Sequence, residues 1–231
     1  YRLGFDLRRL TIDHNLQLQL LKGLKHFDAD LVFDIGANIG QFASELLTIG
    51  YNRQIVSFEP LPDAYQTLTA RAKYNHNWMV HKRCAIGDFD GHMKINVSGN
   101  SVSSSVLPIL KAHTSVAIDS EYVDTANVQV HKLDTIFDNY ASDLCKYFIK
   151  IDTQGYEWQV LDGAPLALSK AKGLMCELSL IPLYEGQRLW LDMLHRIEKE
   201  GFTLWAIQNG FTDPQCGRTL QVDAIFFRLD E

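Results

Sequence analysis

The stretch DIGANIG, residues 34–40, decides the fold of this chain. A short apolar run, residues 31–35, leads into it, and a segment with helical spacing of apolar residues, 41–49, follows it. This order predicts a strand, a tight turn and a helix. Gly36 and Gly40 would let the turn approach a ligand closely, with the ligand at the N-terminus of the helix. We therefore expect a binding site at the carboxyl end of the first strand.

The same alternation of short apolar runs and longer periodic segments continues along the chain. Strand candidates are residues 55–58, 79–86, 147–151 and 173–180, and helix candidates are residues 63–72, 156–168 and 187–200. Two alternating runs, 92–97 and 128–133, interrupt this rhythm, and the final runs, 202–207 and 222–228, suggest a closing hairpin. The pattern predicts an α/β fold with a doubly wound, mostly parallel sheet.

Length and composition favour one α/β domain. The 231 residues include 46% hydrophobic ones, which is enough for a substantial core. Residues 1–30 contain an amphipathic run and are predicted to be an N-terminal helical extension of a domain that covers residues 31–231. The net charge of −6 argues against broad binding to nucleic-acid phosphates. We expect a small-molecule partner and leave the oligomeric state open.

Cysteine use and hydropathy bear on the compartment. The four cysteines are widely spaced and form no C-x-x-C pair, which favours free thiols in a reducing cytoplasm. No apolar stretch approaches the roughly 20 residues that span a bilayer, and no signal peptide is recognisable. We therefore predict a cytoplasmic protein without a membrane span.

Glu59 ends the second apolar run, one strand after Asp34, and an acid there is placed to accept the hydroxyls of a ribose. Dinucleotide enzymes prefer G-x-G-x-x-G, but Asn38 takes the middle glycine position and would crowd a pyrophosphate. S-adenosylmethionine carries no phosphate, and Asp34 could meet its cationic end. These residues favour S-adenosylmethionine over a dinucleotide, and a plain strand-to-helix turn is the remaining alternative.

The segment that follows the third strand candidate is expected near the adenine of such a cofactor. Ala85 and Ile86 belong to this segment, and Asp88 or a backbone group would meet the exocyclic amine of the adenine. Alternatively, Asp88 only opens a turn rich in Asp and Gly, residues 88–91. The sequence does not decide between these two possibilities.

A second set of candidate residues lies at the ends of the later strands. Asp152 would lie near the sulfonium and could take the proton that a hydroxyl loses on methylation. Glu177 is a second candidate base or substrate anchor, and Lys150 could orient a substrate or neutralise the acids. As alternatives, Asp152 could cap the following helix, and Glu177 could form a salt bridge with Lys150 or Arg188. The eight histidines form no metal-binding pattern, and we predict no metal.

Two segments are candidates for the acceptor pocket. Side-chain hydroxyl groups and an amide lie close together in sequence at residues 100–105. They could form hydrogen bonds with the hydroxyls of an acceptor, or the segment could simply be a solvated loop. Residues 106–127 lack a clear period and could form a lid.

Several motifs in order resemble the FkbM-type methyltransferases: DIGANIGQFA (34–43), FEPLPDAYQTL (58–68), AIGDFDG (85–91), KLDTI (132–136) and KIDTQGYEWQVLDGA (150–164). The resemblance covers about residues 30–180. It implies a class I, S-adenosylmethionine-dependent methyltransferase fold, Rossmann-like, with a sheet of about seven strands whose last strand is antiparallel. It also implies methyl transfer to oxygen, on a hydroxyl of a sugar, a polyketide or another small metabolite.

The resemblance assigns the same cofactor residues as the motifs do. It gives the loop to Asp34, Gly36, Asn38 and Gly40, the ribose to Glu59 and the adenine to residues 85–88. One position departs from the family pattern K-x-D-x-E-G, because Gln154 stands where glutamate is common. A non-catalytic cofactor-binding module and an NAD-dependent oxidoreductase are the two rival functions. The second would need a Tyr-x-x-x-Lys or comparable catalytic pair, which we do not find.

Overall fold

The computed structural model describes Ile12 and residues 15–229 of the chain. Its helices are α1 (Leu16–His26), α2 (Gln41–Thr48), α3 (Pro62–Ala72), α4 (Lys111–Thr114), α5 (Leu133–Ile136), α6 (Glu157–Asp162), α7 (Pro165–Lys170) and α8 (Trp190–Lys199). Its strands are β1 (Leu31–Ile35), β2 (Gln54–Phe58), β3 (Trp78–Val80), β4 (Ala85–Ile86), β5 (Gly91–Ser98), β6 (Tyr122–His131), β7 (Tyr147–Ile151), β8 (Gly173–Ser179), β9 (Thr203–Asn209) and β10 (Gln221–Phe227). Within the described residues, no helix has the length and apolar character needed to cross a membrane.

A seven-stranded sheet in the order β3-β2-β1-β7-β8-β10-β9 forms the centre of the molecule. Its first five strands are parallel, whereas β10 runs antiparallel to both of its neighbours, β8 and β9. Every residue of β1 and β7 is buried, as expected of central parallel strands covered on both faces. The prediction of a doubly wound, mostly parallel sheet with an antiparallel C-terminal strand is confirmed. The strand order reverses between β1 and β7, where such sheets bind ligands.

The predicted third strand, residues 79–86, is wrong as a single element. β3 pairs with β2 in the main sheet, whereas β4 leaves it and pairs with β6 in a separate sheet of order β4-β6-β5. The polar residues 81–83 lie between the two strands and do not continue either ladder. This small sheet lies next to the carboxyl ends of β1 and β2, where it contributes to the cavity described below.

The predicted helix at residues 156–168 is likewise two helices. Pro165 has no backbone N–H to donate to a preceding turn, so it cannot continue α6, but it is well suited to the first turn of α7. The break also brings Gly163 against the loop that follows β4. The interruption therefore shapes the surroundings of the cavity.

Apolar side chains cover both faces of the main sheet. One cluster includes Phe33 and residues of α5 to α8, and the other includes residues of α1 and α2. The side chain of Asn15 caps α1 by accepting a hydrogen bond from the backbone of Leu18, and the ring of Phe27 stacks on Phe227 of β10 at 4.4 Å between centroids. The four cysteines are free, and Cys216 is exposed.

Candidate active site

A cavity of about 510 Å³ lies at the carboxyl ends of β1, β2, β7 and β8. Its wall includes five of the predicted cofactor residues, namely Gly36, Asn38, Glu59, Ala85 and Ile86. It also includes the three predicted catalytic residues Lys150, Asp152 and Glu177. Three predicted cofactor residues are not on the wall, namely Asp34, Gly40 and Asp88.

The turn after β1 is held against the turn after β7. Gly36 has a φ of 75°, and a Cβ at this position would come within 1.8 Å of the carbonyl oxygen of Asp152. Gly40 serves packing, because a Cβ there would come within 2.6 Å of the Trp78 ring. Asn38 also has a positive φ, and its side chain accepts a hydrogen bond from the backbone of Ile39. The turn is therefore compact and fixed on both sides.

Asp34 lies beneath this turn and is fully buried. It is level with Ser57 on β2 and Lys150 on β7. Ser57 donates a hydrogen bond to one carboxylate oxygen at 2.9 Å, and Trp78 donates in turn to the Ser57 hydroxyl. The ammonium of Lys150 lies 3.1 Å from the other carboxylate oxygen. Asp34 is thus occupied by protein groups and anchors Lys150.

Lys150 connects Asp34 to the cavity. Its ammonium donates to the carbonyl oxygen of Gly36 at 3.0 Å and lies 3.6 Å from a carboxylate oxygen of Asp152. Burial alone would lower the pKa of Lys150, but the charges of Asp34 and Asp152 outweigh burial and raise that pKa. Lys150 therefore stays cationic, holds the turn and neutralises the two acids.

Glu59 is buried and holds the turn from the other side. Its two carboxylate oxygens accept hydrogen bonds from the backbone N–H groups of Asn38 and Leu61, both at 2.8 Å. Burial raises the pKa of Glu59 to about 7, although these two hydrogen bonds and Lys150 act in the opposite direction. The carboxylate keeps lone pairs free on the cavity side, so it can accept the hydroxyls of a ribose.

The part of the cavity around β4 is apolar. Ala85 and Ile86 are buried in the wall, with Phe58 beside them. Asp88 instead accepts a hydrogen bond from the Tyr156 hydroxyl at 3.2 Å. The wall here suits a flat, apolar ring, and the polar contacts of such a ring would fall to backbone groups.

The acids at the opposite end share one amide. The Gln154 side-chain nitrogen donates to Asp152 at 2.8 Å and to Glu177 at 2.9 Å. The Tyr184 hydroxyl donates to the Gln154 side-chain oxygen at 2.9 Å, which orients the amide. Gln154 has a φ of 55° and precedes Gly155, so the backbone also turns sharply here. Gln154, the residue that departs from the family pattern, therefore bridges Asp152 and Glu177.

The structure does not support the alternative roles of Asp152 and Glu177. Glu157 rather than Asp152 holds the turn before α6, since one oxygen of Glu157 accepts from the backbone N–H groups of Thr153 and Gly155 at 3.0 Å. Glu177 accepts hydrogen bonds from Gln154 and Gln221, and the Arg188 guanidinium lies over the ring of Trp158 instead.

Glu177 and Asp223 face each other across the antiparallel pair β8 and β10. Burial and the neighbouring Asp152 and Asp223 raise the pKa of Glu177 well above its usual value. Burial, followed by the charge of Asp152, raises the pKa of Asp223 to about 6. Glu177 and Asp223 therefore both hold a proton more readily than usual, and Asp152, whose side chain is 34% exposed, is the accessible carboxylate.

The loop of residues 100–105 lines the cavity and is tied to the turn after β7. Ser105 donates to the backbone carbonyl of Gln154 at 2.6 Å, and the Tyr184 hydroxyl also lies 3.3 Å from the carbonyl of Ser103. These bonds make the loop a wall of the cavity. The predicted lid, residues 106–127, is partly regular, because β6 begins at Tyr122.

Several wall residues were not predicted, and they come from distant parts of the chain: His113, Tyr156, Phe211, Gln221 and Asp223. Tyr156 lies inside a motif that the sequence did single out, but the others carry no spacing signal. No set of three or more His, Cys, Asp or Glu side chains within the described part of the chain is arranged to hold a metal ion.

The chain matches the Methyltransferase FkbM domain over residues 34–204. Among solved structures it is similar to an rRNA methylase from Streptococcus thermophilus, with 12% identity, a TM-score of 0.50 and coverage of 96% of this chain and 100% of that one. Another is precorrin-6y C5,15-methyltransferase from Geobacter metallireducens GS-15, with 14% identity, a TM-score of 0.44 and coverage of 97% and 93%.

A third similar structure is a candidate tRNA methyltransferase from Streptococcus pneumoniae in complex with S-adenosyl-L-methionine, with 11% identity, a TM-score of 0.47 and coverage of 92% and 73%. No curated protein matches the sequence. At these identities the structural likeness shows the fold, whereas the domain match covers most of the chain. The chain belongs to the FkbM family of methyltransferases, and its cofactor is S-adenosyl-L-methionine.

Proposed function

We propose that this methyltransferase transfers the methyl group to a hydroxyl of a sugar, a polyketide or another small metabolite. The observation that carries the proposal is the carboxylate of Asp152, which lines the cavity and is fixed by Gln154 on one oxygen and faced by Lys150 on the other. An alcohol must lose a proton on methylation, and a positioned carboxylate accelerates such a transfer by about 10²- to 10⁴-fold.

The cofactor is proposed to lie across the turn after β1. Gly36 and Asn38 would face its methionine part, Glu59 would accept the ribose hydroxyls, and Ala85 and Ile86 would cover the adenine. S-adenosylmethionine supplies an electrophilic methyl group on a sulfonium. The protein's own task is to align the acceptor with that methyl group and to exclude water.

The acids at the acceptor end are proposed to have different tasks. Asp152 accepts the proton of the reacting hydroxyl, because it is the accessible carboxylate of the group. Glu177, whose pKa is raised by burial and by the neighbouring acids, donates a hydrogen bond to the acceptor in its protonated form. Lys150 acts through Asp152 and the turn, since its ammonium is occupied by Asp34 and the Gly36 carbonyl.

A small molecule or a glycan is favoured over nucleic acid as the acceptor. The net charge is −6, and three carboxyl groups lie at the acceptor end of the cavity: Asp152, Glu177 and Asp223. The net negative charge of the chain would repel a phosphate backbone. Hydroxyl groups, by contrast, are good donors to carboxylates.

Two variants test the division of roles. Glu59→Ala should weaken S-adenosylhomocysteine binding at least tenfold in calorimetry, because it removes a charge-assisted pair of ribose contacts. Asp152→Asn should bind S-adenosylhomocysteine within about twofold of wild type yet lose at least 100-fold in turnover.

The assay compares metabolites of a strain that lacks the enzyme with those of a strain that has it, and seeks a product heavier by one methyl group. Equal loss of cofactor binding in both variants would refute the division of roles. Cofactor binding without any methylated product would favour a non-catalytic binding module. Absence of S-adenosylhomocysteine binding to the wild type would contradict the cofactor site itself.

A further inference from the structure

His113 is a buried residue of α4 whose ring borders the same cavity as Asp152. The ring packs between two aromatic side chains, with centroids 5.4 Å from Tyr184 and 5.1 Å from Phe211. This packing restricts rotation of the imidazole. Its nitrogens therefore have fixed positions relative to the cavity wall.

The contacts of Ser120 determine which nitrogen of His113 carries the proton. The Ser120 hydroxyl lies 2.5 Å from the carbonyl oxygen of Ala117, and a carbonyl cannot donate, so the hydroxyl proton must lie in this bond. The same hydroxyl oxygen lies 3.0 Å from Nδ1 of His113 and can only accept there. Nδ1 is therefore protonated, and in the neutral ring Nε2 carries a lone pair.

Burial outweighs the one local contact that favours a doubly protonated ring, a backbone hydrogen bond at His113 itself. Burial lowers the pKa of His113, which keeps the imidazole neutral around pH 7. Among the described residues, no protein group forms a hydrogen bond with Nε2, whereas Nδ1 is bonded to Ser120. Nε2 is left open to the cavity and can accept a hydrogen bond from a hydroxyl bound there.

The position of His113 connects it to the reacting end. The Tyr184 ring touches His113, and the Tyr184 hydroxyl orients Gln154, whose amide holds Asp152. His113 and Asp152 therefore belong to one packed wall. Both side chains line the cavity in which the acceptor would bind.

We propose that Nε2 of His113 accepts a hydrogen bond from a second, non-reacting hydroxyl of the methyl acceptor, so that the acceptor is a polyhydroxylated molecule such as a glycoside. This inference rests on the proposed function, because it needs a hydroxylated acceptor in the same cavity as the methyl donor. His113 is then a specificity-determining residue that disfavours acceptors with a single hydroxyl.

The first test is the protonation state of the ring in the wild-type protein. Long-range ¹H–¹⁵N NMR of the histidine side chains, with S-adenosylhomocysteine bound, should show His113 as the Nδ1–H form at neutral pH. Methyl α-D-glucopyranoside at tens of millimolar should then move the Nε2 signal, because Nε2 becomes an acceptor. The fully O-methylated glucoside, which has no hydroxyl, should leave the Nε2 signal unchanged.

The second test uses two variants that separate the nitrogens. His113→Asn keeps a donor near Ser120 but has no group at the ε position, whereas His113→Gln places an amide there. The first should weaken binding of the glucoside roughly three- to tenfold, and the second should restore most of it. Thermal unfolding and S-adenosylhomocysteine binding of both variants report whether the fold and the cofactor site are intact.

The outcomes separate this inference from the proposed function. Three results would each overturn the inference while cofactor binding remains normal. They are a ring protonated at Nε2, an Nε2 signal that the glucoside does not move, and a His113→Asn variant that binds the glucoside as tightly as wild type. Failure of S-adenosylhomocysteine to bind the wild type would instead overturn the cofactor site on which both depend.

Discussion

Glu59 shows how one residue joins the fold to cofactor binding. The free carboxylate is held by two backbone N–H groups, those of Asn38 and Leu61, and burial still raises its pKa to about 7. A ribose hydroxyl donates to the charged form of a carboxylate and gains little from a protonated one. Cofactor binding should therefore be coupled to the ionisation of this side chain.

We predict that the Kd of S-adenosylhomocysteine rises as the pH falls through 7. The free protein takes up a proton at Glu59 in this range, and binding must release it, so affinity falls by up to about tenfold per pH unit below 7. Glu59→Gln should bind roughly 10- to 100-fold more weakly at pH 8 and lose this dependence. Calorimetry between pH 6 and 8 measures both, and a pH-independent wild-type Kd would contradict the prediction.

At the residue scale, the sequence predicted which residues lie at the strand ends better than it predicted what their side chains contact. Strand-end spacing predicted that Lys150 and Asp152 share a site, because side chains two apart on a strand lie on one face. It could not predict that Asp34 is enclosed by Ser57 and Lys150, since those partners come from other strands. The bridge formed by Gln154 and the cavity position of His113 likewise depend on Tyr184, which is distant in sequence from both.

The break between α6 and α7 packs closely against the loop that follows β4. The carboxylate of Asp134 in α5 accepts hydrogen bonds from the backbone N–H groups of Leu166 and Ala167 and so caps α7 from outside. A Cβ on Gly163 would lie 1.8 Å from the carbonyl oxygen of Gly87, directly after β4. The helix break and the loop after β4 are thus packed backbone to backbone.

We predict that Gly163→Ala lowers the free energy of unfolding by about 3 kcal/mol, because backbone must move to admit the methyl group. Gly50→Ala is the matched control. Gly50 has a φ of 101° but open space around it, so that variant should lose only about 1 kcal/mol. Urea unfolding of both variants measures the two losses in the free energy of unfolding. Equal losses would show that the contact with Gly87 is easily relieved.

At the scale of elements, the sequence predicted the bounds of uninterrupted apolar runs correctly, but it did not reveal breaks within an element. β1 and β7 have the predicted bounds because each is an unbroken apolar run that is buried on both faces. The predicted helix at 156–168 ignored Pro165, which is a helix-starting signal. Residues 79–86 were predicted as one strand despite the polar residues in the middle, since a single sequence does not reveal that β4 pairs in another sheet.

At the scale of the whole molecule, three acids on the cavity wall affect the pH dependence of stability. The pKa values of Glu59, Glu177 and Asp223 are all raised, with burial as the first cause. Each acid binds its proton more tightly in the folded protein than in the unfolded chain. Between the unfolded and the folded pKa the folded state holds more protons, so stability falls as the pH rises through that window. The site is thus maintained at a cost in stability at neutral and alkaline pH.

We predict that Glu177→Gln stabilises the cofactor-free protein, by on the order of 1 kcal/mol at pH 8 and less at pH 5. The amide keeps a hydrogen-bonding oxygen for Gln154 and Gln221 but removes the acid whose ionised form is disfavoured by burial. Glu198→Gln, on the exposed face of α8, should change stability equally little at both pH values. Urea unfolding at the two pH values measures the difference, and a gain that does not grow with pH would contradict the assignment.

The place of β10 in the sheet also constrains the order in which the protein can fold. β10 follows β9 in the chain but lies between β8 and β9, so β9 has no partner in the sheet until β10 has been made. A bond between the backbone of Leu16 and the side chain of Gln208, 192 residues apart, closes the same region. Contacts at such separation slow folding. β9 is an edge strand whose Leu204 and Ile207 stay exposed after folding, and it can join the sheet only once β10 has been synthesised.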